Sequence, residues 1–169
     1  MNYYDSIANG YDDLHKAEQL NKLKLIKEHL EIKPNDKMLD VGCGPGYSAN
    51  FFNCDITGID PSIRLLEKAH FKTVLGQAEK MPFKADEFDV VISVTAIQNF
   101  TDFKRGLLEI KRVGNDRFAF SILRKFSGME DLAEFIRGNF KVLKELDEVK
   151  DVVFICKKNW ILHNIYKIL

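Results

Sequence analysis

The segment at residues 39–46, Leu-Asp-Val-Gly-Cys-Gly-Pro-Gly, constrains the fold of this chain more than any other feature, and a second apolar run ends in an acid, Asp60. Glycines at 42, 44 and 46 allow a sharp turn after a buried strand and let a ligand lie against the backbone. A helix predicted after the turn would direct its free N–H groups at that ligand. A carboxylate at Asp60 can accept hydrogen bonds from both hydroxyls of a ribose. The pattern therefore predicts a pocket for a nucleoside-containing cofactor.

Short apolar runs alternate with helical periodicities along the rest of the chain, and this alternation is typical of an α/β domain. Strands are predicted at 37–41, 55–60, 72–75, 89–94, 117–123, 141–146 and 151–157. Helices are predicted at 17–31, at 47–52, from Ser62 to about 70, from Asp102 to about 113, and from Ser127 or Gly128 to 137. The last two strands follow one another across a tight turn, which makes them an antiparallel hairpin.

These elements predict one domain, 1–169, with a doubly wound, mostly parallel seven-stranded sheet and a C-terminal antiparallel hairpin. Residues 1–36 would form an N-terminal lid and helix, and residues 37–158 the core. Residues 159–169 would form a C-terminal helical tail. The absence of linkers and internal repeats argues against a second domain.

The bulk composition excludes several classes of protein. Lys plus Arg and Asp plus Glu both number 25, so the formal net charge is zero, which argues against unaided nucleic-acid binding. The N-terminus lacks the features of a secretory signal, and no apolar run of about 18 residues predicts a membrane span. Three scattered cysteines indicate reduced thiols and a cytoplasmic protein, and no His/Cys spacing predicts a metal site.

The spacing of the glycines narrows the choice of cofactor. A glycine turn alone could serve NAD, FAD or S-adenosylmethionine, but this one reads G-x-G-x-G rather than the G-x-G-x-x-G dinucleotide fingerprint. The predicted terminal hairpin also stands where a dinucleotide-binding protein would have its second mononucleotide-binding half, which argues against NAD. The loop at 76–89, Gly-Gln-Ala-Glu-Lys-Met-Pro-Phe-Lys-Ala-Asp-Glu-Phe-Asp, supplies a third distinctive segment.

Together, LDVGCGPG, GIDPS and GQAEKMPFKADEFDVVIS resemble the class I S-adenosylmethionine-dependent methyltransferases, above all the branch that acts in quinone biosynthesis. The opening segment YYDSIANGYDD is similar to the part of that branch that folds over the cofactor. The resemblance extends over about residues 3–125. It implies a Rossmann-like fold, S-adenosylmethionine as cofactor, and methyl transfer as the reaction.

The resemblance also implies roles for individual residues. The glycine turn with Cys43 would contact the methionine portion, Asp40 its amino group, and Asp60 the ribose hydroxyls. The full set of implied cofactor-binding residues is Tyr11, Asp40, Gly42, Cys43, Gly44, Gly46, Asp60, Pro61, Gln77, Ala78, Ser93 and Val94. Gln77 departs from the family, which usually has Asp there, although a glutamine carbonyl can still accept from an adenine amino group.

The segment expected to face the methyl acceptor, residues 95–100, carries no obvious base. It lacks the Asn/Asp-Pro-Pro-aromatic signature that resembles methylation of amides or base nitrogens. The candidates for catalytic residues are Gln98 and Asn99, which can orient a polar acceptor, and His15, which lies near the predicted lid. The acceptor could therefore be a protein, an RNA or a small molecule.

The short connection after the fifth strand predicts an open acceptor side, which favours a macromolecular acceptor or a partner subunit over a self-contained small-molecule enzyme. The apolar residues at 160–169 predict a helix that packs on its own domain, forms a homodimer contact or binds an activator subunit. Two other functions stay open at this point. One is a non-catalytic cofactor-binding subunit that supports a partner, and the other is a fragment of an NAD-dependent oxidoreductase.

Overall fold

The computed structural model describes residues 3–159, with the side chains of residues 16–159. Its helices are α1 (Tyr3–His29), α2 (Ile63–Leu66), α3 (Phe103–Val113) and α4 (Met129–Asn139). Its strands are β1 (Lys37–Val41), β2 (Asp55–Asp60), β3 (Lys72–Leu75), β4 (Phe88–Val94), β5 (Gly114–Leu123), β6 (Phe140–Asp147) and β7 (Asp151–Lys158).

These strands form one sheet in the order β3-β2-β1-β4-β5-β7-β6. The pairs among β1 to β5 are parallel, whereas β7 pairs antiparallel with both β5 and β6. The predicted mostly parallel sheet with a C-terminal hairpin is thereby confirmed. β1 and β4 lie in the interior of the sheet, and apolar residues pack against both of their faces.

Successive residues of the central strands point to opposite faces of the sheet, which explains why these strands are apolar throughout. Met38 and Val90 pack with Leu23 and Ile26 of α1 on one face. Leu39 and Val91 pack on the other face, with apolar residues of α3 and α4. The domain therefore has three layers, with the sheet in the middle.

The winding of the chain reverses beside β1. From β1 the chain moves outward through β2 to β3, and it then returns to place β4 on the other side of β1. In doubly wound sheets the crevice at the carboxyl ends of the strands, where the order reverses, is the usual place for a ligand. The glycine turn follows β1 at this edge.

Three local predictions differ from the structure. Helix α1 begins at Tyr3, so the segment assigned to a lid is continuous with the predicted helix. Residues 47–50 form one 3-10 turn instead of a helix with free N–H groups, because the crossover between two parallel strands comprises only residues 42–54. Helix α2 ends at Leu66, earlier than predicted. The predicted tail at 160–169 lies outside the described residues.

Two predicted helix starts are well defined by their side chains. The Asp102 carboxylate accepts a hydrogen bond from the backbone N–H of Arg105, and the Ser62 hydroxyl accepts one from Leu65. Within residues 3–159, no helix combines the length and the apolar composition that crossing a bilayer requires.

Candidate functional site

The glycine turn after β1 is held in a conformation that ordinary residues avoid. Gly42, Gly44 and Gly46 have φ values of 76°, 52° and 88°. The backbone N–H groups of Gly42 and Cys43 donate to the Ile59 carbonyl at 2.8 and 3.2 Å, which ties the turn to the end of β2. A Cβ at position 42 would lie 2.4 Å from Cβ of Ala96, so the turn also packs closely against the segment after β4.

Asp60, at the end of β2, supports this turn directly. One carboxylate oxygen accepts from the N–H of Gly44 at 2.9 Å, and the other accepts from the N–H of Ser62 at 2.8 Å. A carboxylate has about four acceptor positions, so Asp60 keeps the capacity to bind hydroxyl groups of a ligand. Its side chain is buried at the wall of the crevice.

Asp40 is the last but one residue of β1, directly before the turn on the other side from Asp60, and it is also buried. The pKa of its carboxyl group is raised to about 7. Burial is the largest cause and the nearby charge of Asp60 adds to it, whereas the hydrogen bond from the Ser48 hydroxyl acts in the opposite direction. An uncompensated carboxylate at this depth is costly. A cationic ligand group beside Asp40 would therefore stabilise its ionised form.

Three adjoining cavities surround Gly42 and together form a groove along this edge of the sheet. The first, which we call the Asp40 cavity, lies between the glycine turn and α1, and Gln19, Leu23 and Val94 also line it. The middle cavity, of about 100 Å³, is bordered by Asp60, Pro61, Thr95 and Asn99. The third cavity, of about 410 Å³, is bordered by Gln77, Ala78 and Phe100.

Comparison with known proteins identifies the fold and the turn together. A family model described as "Methyltransferase domain" matches residues 39–117, from β1 into β5. An uncharacterized protein of Methanocaldococcus jannaschii is 34% identical over 148 residues, which are 84% of this chain and 59% of that protein. The demethylmenaquinone methyltransferase of Thermotoga maritima is 30% identical over 128 residues, 67% of this chain and 56% of the enzyme.

The chain carries a methyltransferase domain, with the fold of the class I S-adenosylmethionine-dependent methyltransferases.

Solved structures of this class share the whole fold. A methyltransferase of Aquifex aeolicus, described as S-adenosylmethionine-dependent, has a TM-score of 0.80 at 16% identity, covering 94% of this chain and 100% of that one. A chain from a complex between the Haloferax volcanii Trm112 methyltransferase activator and a proposed methyltransferase has a TM-score of 0.79 at 16% identity, with coverages of 94% and 98%. The present chain spans less than two thirds of the curated relatives it matches, but nearly all of these two structures.

Most residues that the family resemblance assigned to the cofactor line the groove of this methyltransferase domain. They are Asp40, Gly42, Cys43, Gly44, Asp60, Pro61, Gln77, Ala78 and Val94. Gly46 lines a separate cavity on the other side of the turn, with Lys16 and Lys68. The side chain of Tyr11 lies outside the described residues.

Two predicted contacts have structural roles: Ser93 lies beneath the groove, and Cys43 lines the Asp40 cavity as a small residue of the turn. The Ser93 side chain is fully buried, and its hydroxyl donates to the Val41 carbonyl at 2.8 Å, so it joins β4 to β1. Burial raises the pKa of the Cys43 thiol far above its ordinary value, so this cysteine is unreactive and serves as a small residue in the turn. For Ser93, tertiary packing decides the orientation of a side chain that sequence position alone places near the ligand.

Two of the three candidate catalytic residues, Gln98 and Asn99, lie after β4, and neither side chain can act as a base. Gln98 and Asn99 donate from their side-chain amides to the Thr95 carbonyl, at 2.9 and 3.5 Å. The carbonyl oxygen of the Gln98 side chain is buried without a hydrogen-bond partner among the described residues. Asn99 borders the middle cavity. The side chain of His15 lies outside the described residues.

The sequence did not reveal the residues that close the groove from the side of α1. Gln19 and Leu23 line the Asp40 cavity, and between them Lys22 contacts Thr95 and Asp151. Gln19 and Lys22 are polar residues on the buried face of α1, next to Leu23 and Ile26. In the sequence, the one indication of these contacts was a polar residue among the apolar positions of the helix.

Proposed function

We propose that this chain binds S-adenosylmethionine in the groove around Gly42 and transfers its methyl group to an acceptor. The observation that carries the proposal is the pair of buried carboxylates at the ends of neighbouring strands, Asp40 and Asp60, with the left-handed glycine turn between them. The family match covers this region from Leu39 onward.

The residues of the groove fit the three parts of this cofactor. Asp40 has a pKa that is raised to about 7 by burial, and its carboxylate would bind the cationic amino group of the methionine portion. Asp60 would accept the ribose hydroxyls, and Gln77 and Ala78 would contact the adenine edge. Bound there, S-adenosylmethionine supplies a methyl group on a positively charged sulfur.

Methyl transfer of this kind requires alignment more than acid or base catalysis, because the leaving group is neutral and already activated. The groove meets this requirement with backbone and apolar surfaces: Val94 and Ala96 border the middle cavity beside Thr95. These groups would orient the reacting atoms and exclude water. Residues 95–100, Thr-Ala-Ile-Gln-Asn-Phe, include no base, which is compatible with an acceptor that needs no prior deprotonation.

For the acceptor, we favour a macromolecule or a substrate enclosed by a partner subunit. Only residues 124–128 connect β5 to α4, so the described chain has no inserted helices that could cover a small acceptor. The similar fold of the chain from the Trm112 complex, which forms an assembly with an activator, supports a partner as one route to a complete acceptor site. A homodimer contact is the alternative.

The cofactor assignment is tested by calorimetry with S-adenosylmethionine, S-adenosylhomocysteine and NAD. We expect the two sulfur compounds to bind in the micromolar range, about 8 kcal/mol, and NAD not to bind. Asp60→Ala should weaken S-adenosylhomocysteine binding by about 2–4 kcal/mol, because hydrogen bonds to an ionised group are lost. Asp131→Ala, on the exposed first turn of α4, is the matched control. Binding of NAD alone would refute the assignment.

The acceptor is tested by incubating the isolated chain with S-adenosylmethionine labelled in the methyl group and fractionated cell extract. Label in protein or RNA is the expected result, with protein favoured because the net charge is zero. Full activity on a small metabolite would contradict the macromolecular acceptor. Cofactor binding without transfer to any fraction would favour the non-catalytic subunit.

A further inference from the structure

A buried polar cluster joins α1 to the sheet directly beside the groove. The Lys22 ammonium donates to the Thr95 hydroxyl at 2.7 Å and lies 3.0 Å from a carboxylate oxygen of Asp151. The Thr95 hydroxyl donates to the same oxygen at 3.0 Å and lies 3.1 Å from the Ser121 hydroxyl. The side chains of Lys22 and Asp151 are 1% and 0% exposed. We call these four residues the α1 clasp.

The clasp holds Thr95 in a conformation that it would not adopt alone. Its φ of 55° lies in the left-handed region, which is a true outlier for a β-branched residue. The backbone N–H of Thr95 donates to both the carbonyl and the hydroxyl of Ser121, at 3.0 and 2.9 Å. Such a conformation persists only where the surroundings determine it. Contacts from α1, β5 and β7 converge on this one residue.

The position of the clasp relates it to one end of the groove. Gln19 and Leu23, on either side of Lys22 in the sequence, line the Asp40 cavity from α1. Val94, directly before Thr95, borders both the Asp40 cavity and the middle cavity. Among the described side chains, no residue of α1 borders the other two cavities. Of the clasp residues, Thr95 alone borders the middle cavity, and none borders the third cavity. The clasp therefore sets the wall of the Asp40 cavity and leaves the third cavity untouched.

Stability alone does not account for a buried ion pair at this place. Apolar side chains of similar size often hold two elements together as well as a buried pair, or better, because they avoid the desolvation penalty. Leu23, Ile26 and Leu30 already fix α1 to the sheet by apolar packing. What the charged pair adds is register, since a hydrogen-bonded partner permits one position of the helix along the strand ends.

We propose that Lys22 and Asp151 are positioning residues for the amino-acid end of the cofactor. By fixing α1 and Thr95, they place Gln19, Leu23 and Val94 around the methionine portion beside Asp40. This inference rests on the proposed function, because it takes S-adenosylmethionine as the occupant of the groove. It predicts that the clasp sets affinity for the amino-acid portion and not for the adenosine portion.

The test compares two ligands that differ in that portion. S-adenosylhomocysteine has adenosine, sulfur and the amino-acid group, whereas 5′-methylthioadenosine lacks the amino-acid group. Affinities are measured by calorimetry or displacement, up to millimolar concentrations, for the full chain and for Lys22→Met, Asp151→Asn and Thr95→Ala. We expect S-adenosylhomocysteine to bind about tenfold more weakly to each variant, and 5′-methylthioadenosine to change less than twofold.

Two controls separate positioning from a general loss of structure. Thr95→Ser keeps the hydroxyl and should retain most of the preference for S-adenosylhomocysteine, even if Lys22→Met does not fold. Arg117→Met breaks another buried ion pair, at the opposite edge of the sheet, and should leave the ratio of the two affinities unchanged.

Each result has a distinct meaning. Equal weakening of both ligands, or an unchanged ratio in the clasp variants, overturns the inference while the proposed function stands. An equal loss of the ratio in Thr95→Ser and Thr95→Ala also overturns it, because the hydroxyl would then be irrelevant. Failure of the unaltered chain to bind S-adenosylhomocysteine overturns the proposed function and the inference with it.

Discussion

The two ends of β1 carry aspartates whose environments have opposite effects. Asp36 precedes the strand and Asp40 lies near its other end, four residues later. Burial would raise the pKa of Asp36, but hydrogen bonds from Arg117 and from the backbone N–H of Lys33 outweigh it, and the pKa is lowered. Burial dominates at Asp40 and raises the pKa to about 7. The same residue type is thus stabilised as an anion at one edge of the sheet and destabilised at the other.

The amino edge of the sheet satisfies its buried charges completely. Arg117 donates to both carboxylate oxygens of Asp36, at 3.0 and 2.9 Å, and to the Glu31 carbonyl at 2.6 Å. The backbone N–H of Lys33 donates to Asp36 at 2.6 Å. This bidentate pair joins β5 to the connection between α1 and β1. Its role is explained by the fold alone.

The carboxyl edge keeps unsatisfied groups and strain. One carboxylate oxygen of Asp151 and the carbonyl oxygen of the Gln98 side chain are buried without partners among the described residues. Thr95 has a left-handed backbone, and Asp40 has no cation beside it in the part of the chain that the structure describes. Departures from complete satisfaction are expected where a protein binds a ligand. The difference between the edges therefore supports the carboxyl edge as the proposed binding site.

The largest effect on folding should come from the amino edge. Arg117→Met leaves the buried Asp36 carboxylate without its partner, which should lower the free energy of unfolding by about 3–5 kcal/mol. Urea unfolding measures this change. Cofactor affinity of the folded variant should stay within twofold of the unaltered chain. If the fully folded variant bound the cofactor much more weakly, the two edges would be energetically coupled, and the contrast between them would be wrong.

Gly42→Ala should cause the next largest effect, at the carboxyl edge. The added Cβ would lie 2.4 Å from Cβ of Ala96, at a φ of 76°. Backbone strain and overpacking together should cost about 2–5 kcal/mol, shared between unfolding free energy and cofactor binding. Unfolding curves and calorimetry with S-adenosylhomocysteine separate the two contributions.

Gly138→Ala is the matched control for this change. Its Cβ would have no neighbour within 4 Å, and position 138 lies in α4. Replacing a helical glycine by alanine stabilises a helix by about 0.5–1 kcal/mol, so this variant should be slightly more stable and should bind the cofactor normally. If both substitutions lowered stability and cofactor affinity equally, the turn at Gly42 would have no special role.

The smallest effect concerns pH and sharpens the contrast between the two aspartates. The pKa of Asp40 is higher in the folded protein than its value of 3.8 in the unfolded chain. The contribution of Asp40 to the free energy of unfolding is therefore present below pH 3.8 and is lost as the pH rises through about 7. The cationic cofactor would pair with ionised Asp40, so its binding should release a proton. Affinity for S-adenosylmethionine should rise about tenfold, or about 1.4 kcal/mol, between pH 6 and pH 8.

Asp36 should behave in the opposite way. Its lowered pKa makes its contribution present above the unfolded value of 3.8 and lost as pH falls through the lowered folded value. Calorimetry across pH, in buffers with different ionisation enthalpies, measures the released proton. Asp40→Asn should abolish the pH dependence of affinity, and Asp36→Asn should leave it intact. A flat profile for the unaltered chain would contradict the assignment of Asp40.

The local pattern of the sequence was enough to predict the strands and the glycine turn, and the family resemblance added nine of the residues that line the groove. The central strands are apolar on both faces, and the terminal hairpin has a short turn, so period and length identify them. Asp102 and Ser62 similarly predict helix N-termini, because an N-cap hydrogen bond joins residues three positions apart. These features arise from interactions within a few residues along the chain.

Long-range contacts decided the rest. The α/β domain and the glycine turn follow from the local pattern, but that pattern did not reveal that α1 begins at Tyr3, that the Ser93 hydroxyl donates to Val41, or that Lys22 contacts Thr95 and Asp151. Lys22 and Asp151 are far apart along the chain and belong to different layers, and no local periodicity relates them. Their pairing exists because β4, β5 and β7 bring their ends together under α1, so only the tertiary structure places these charges beside the groove.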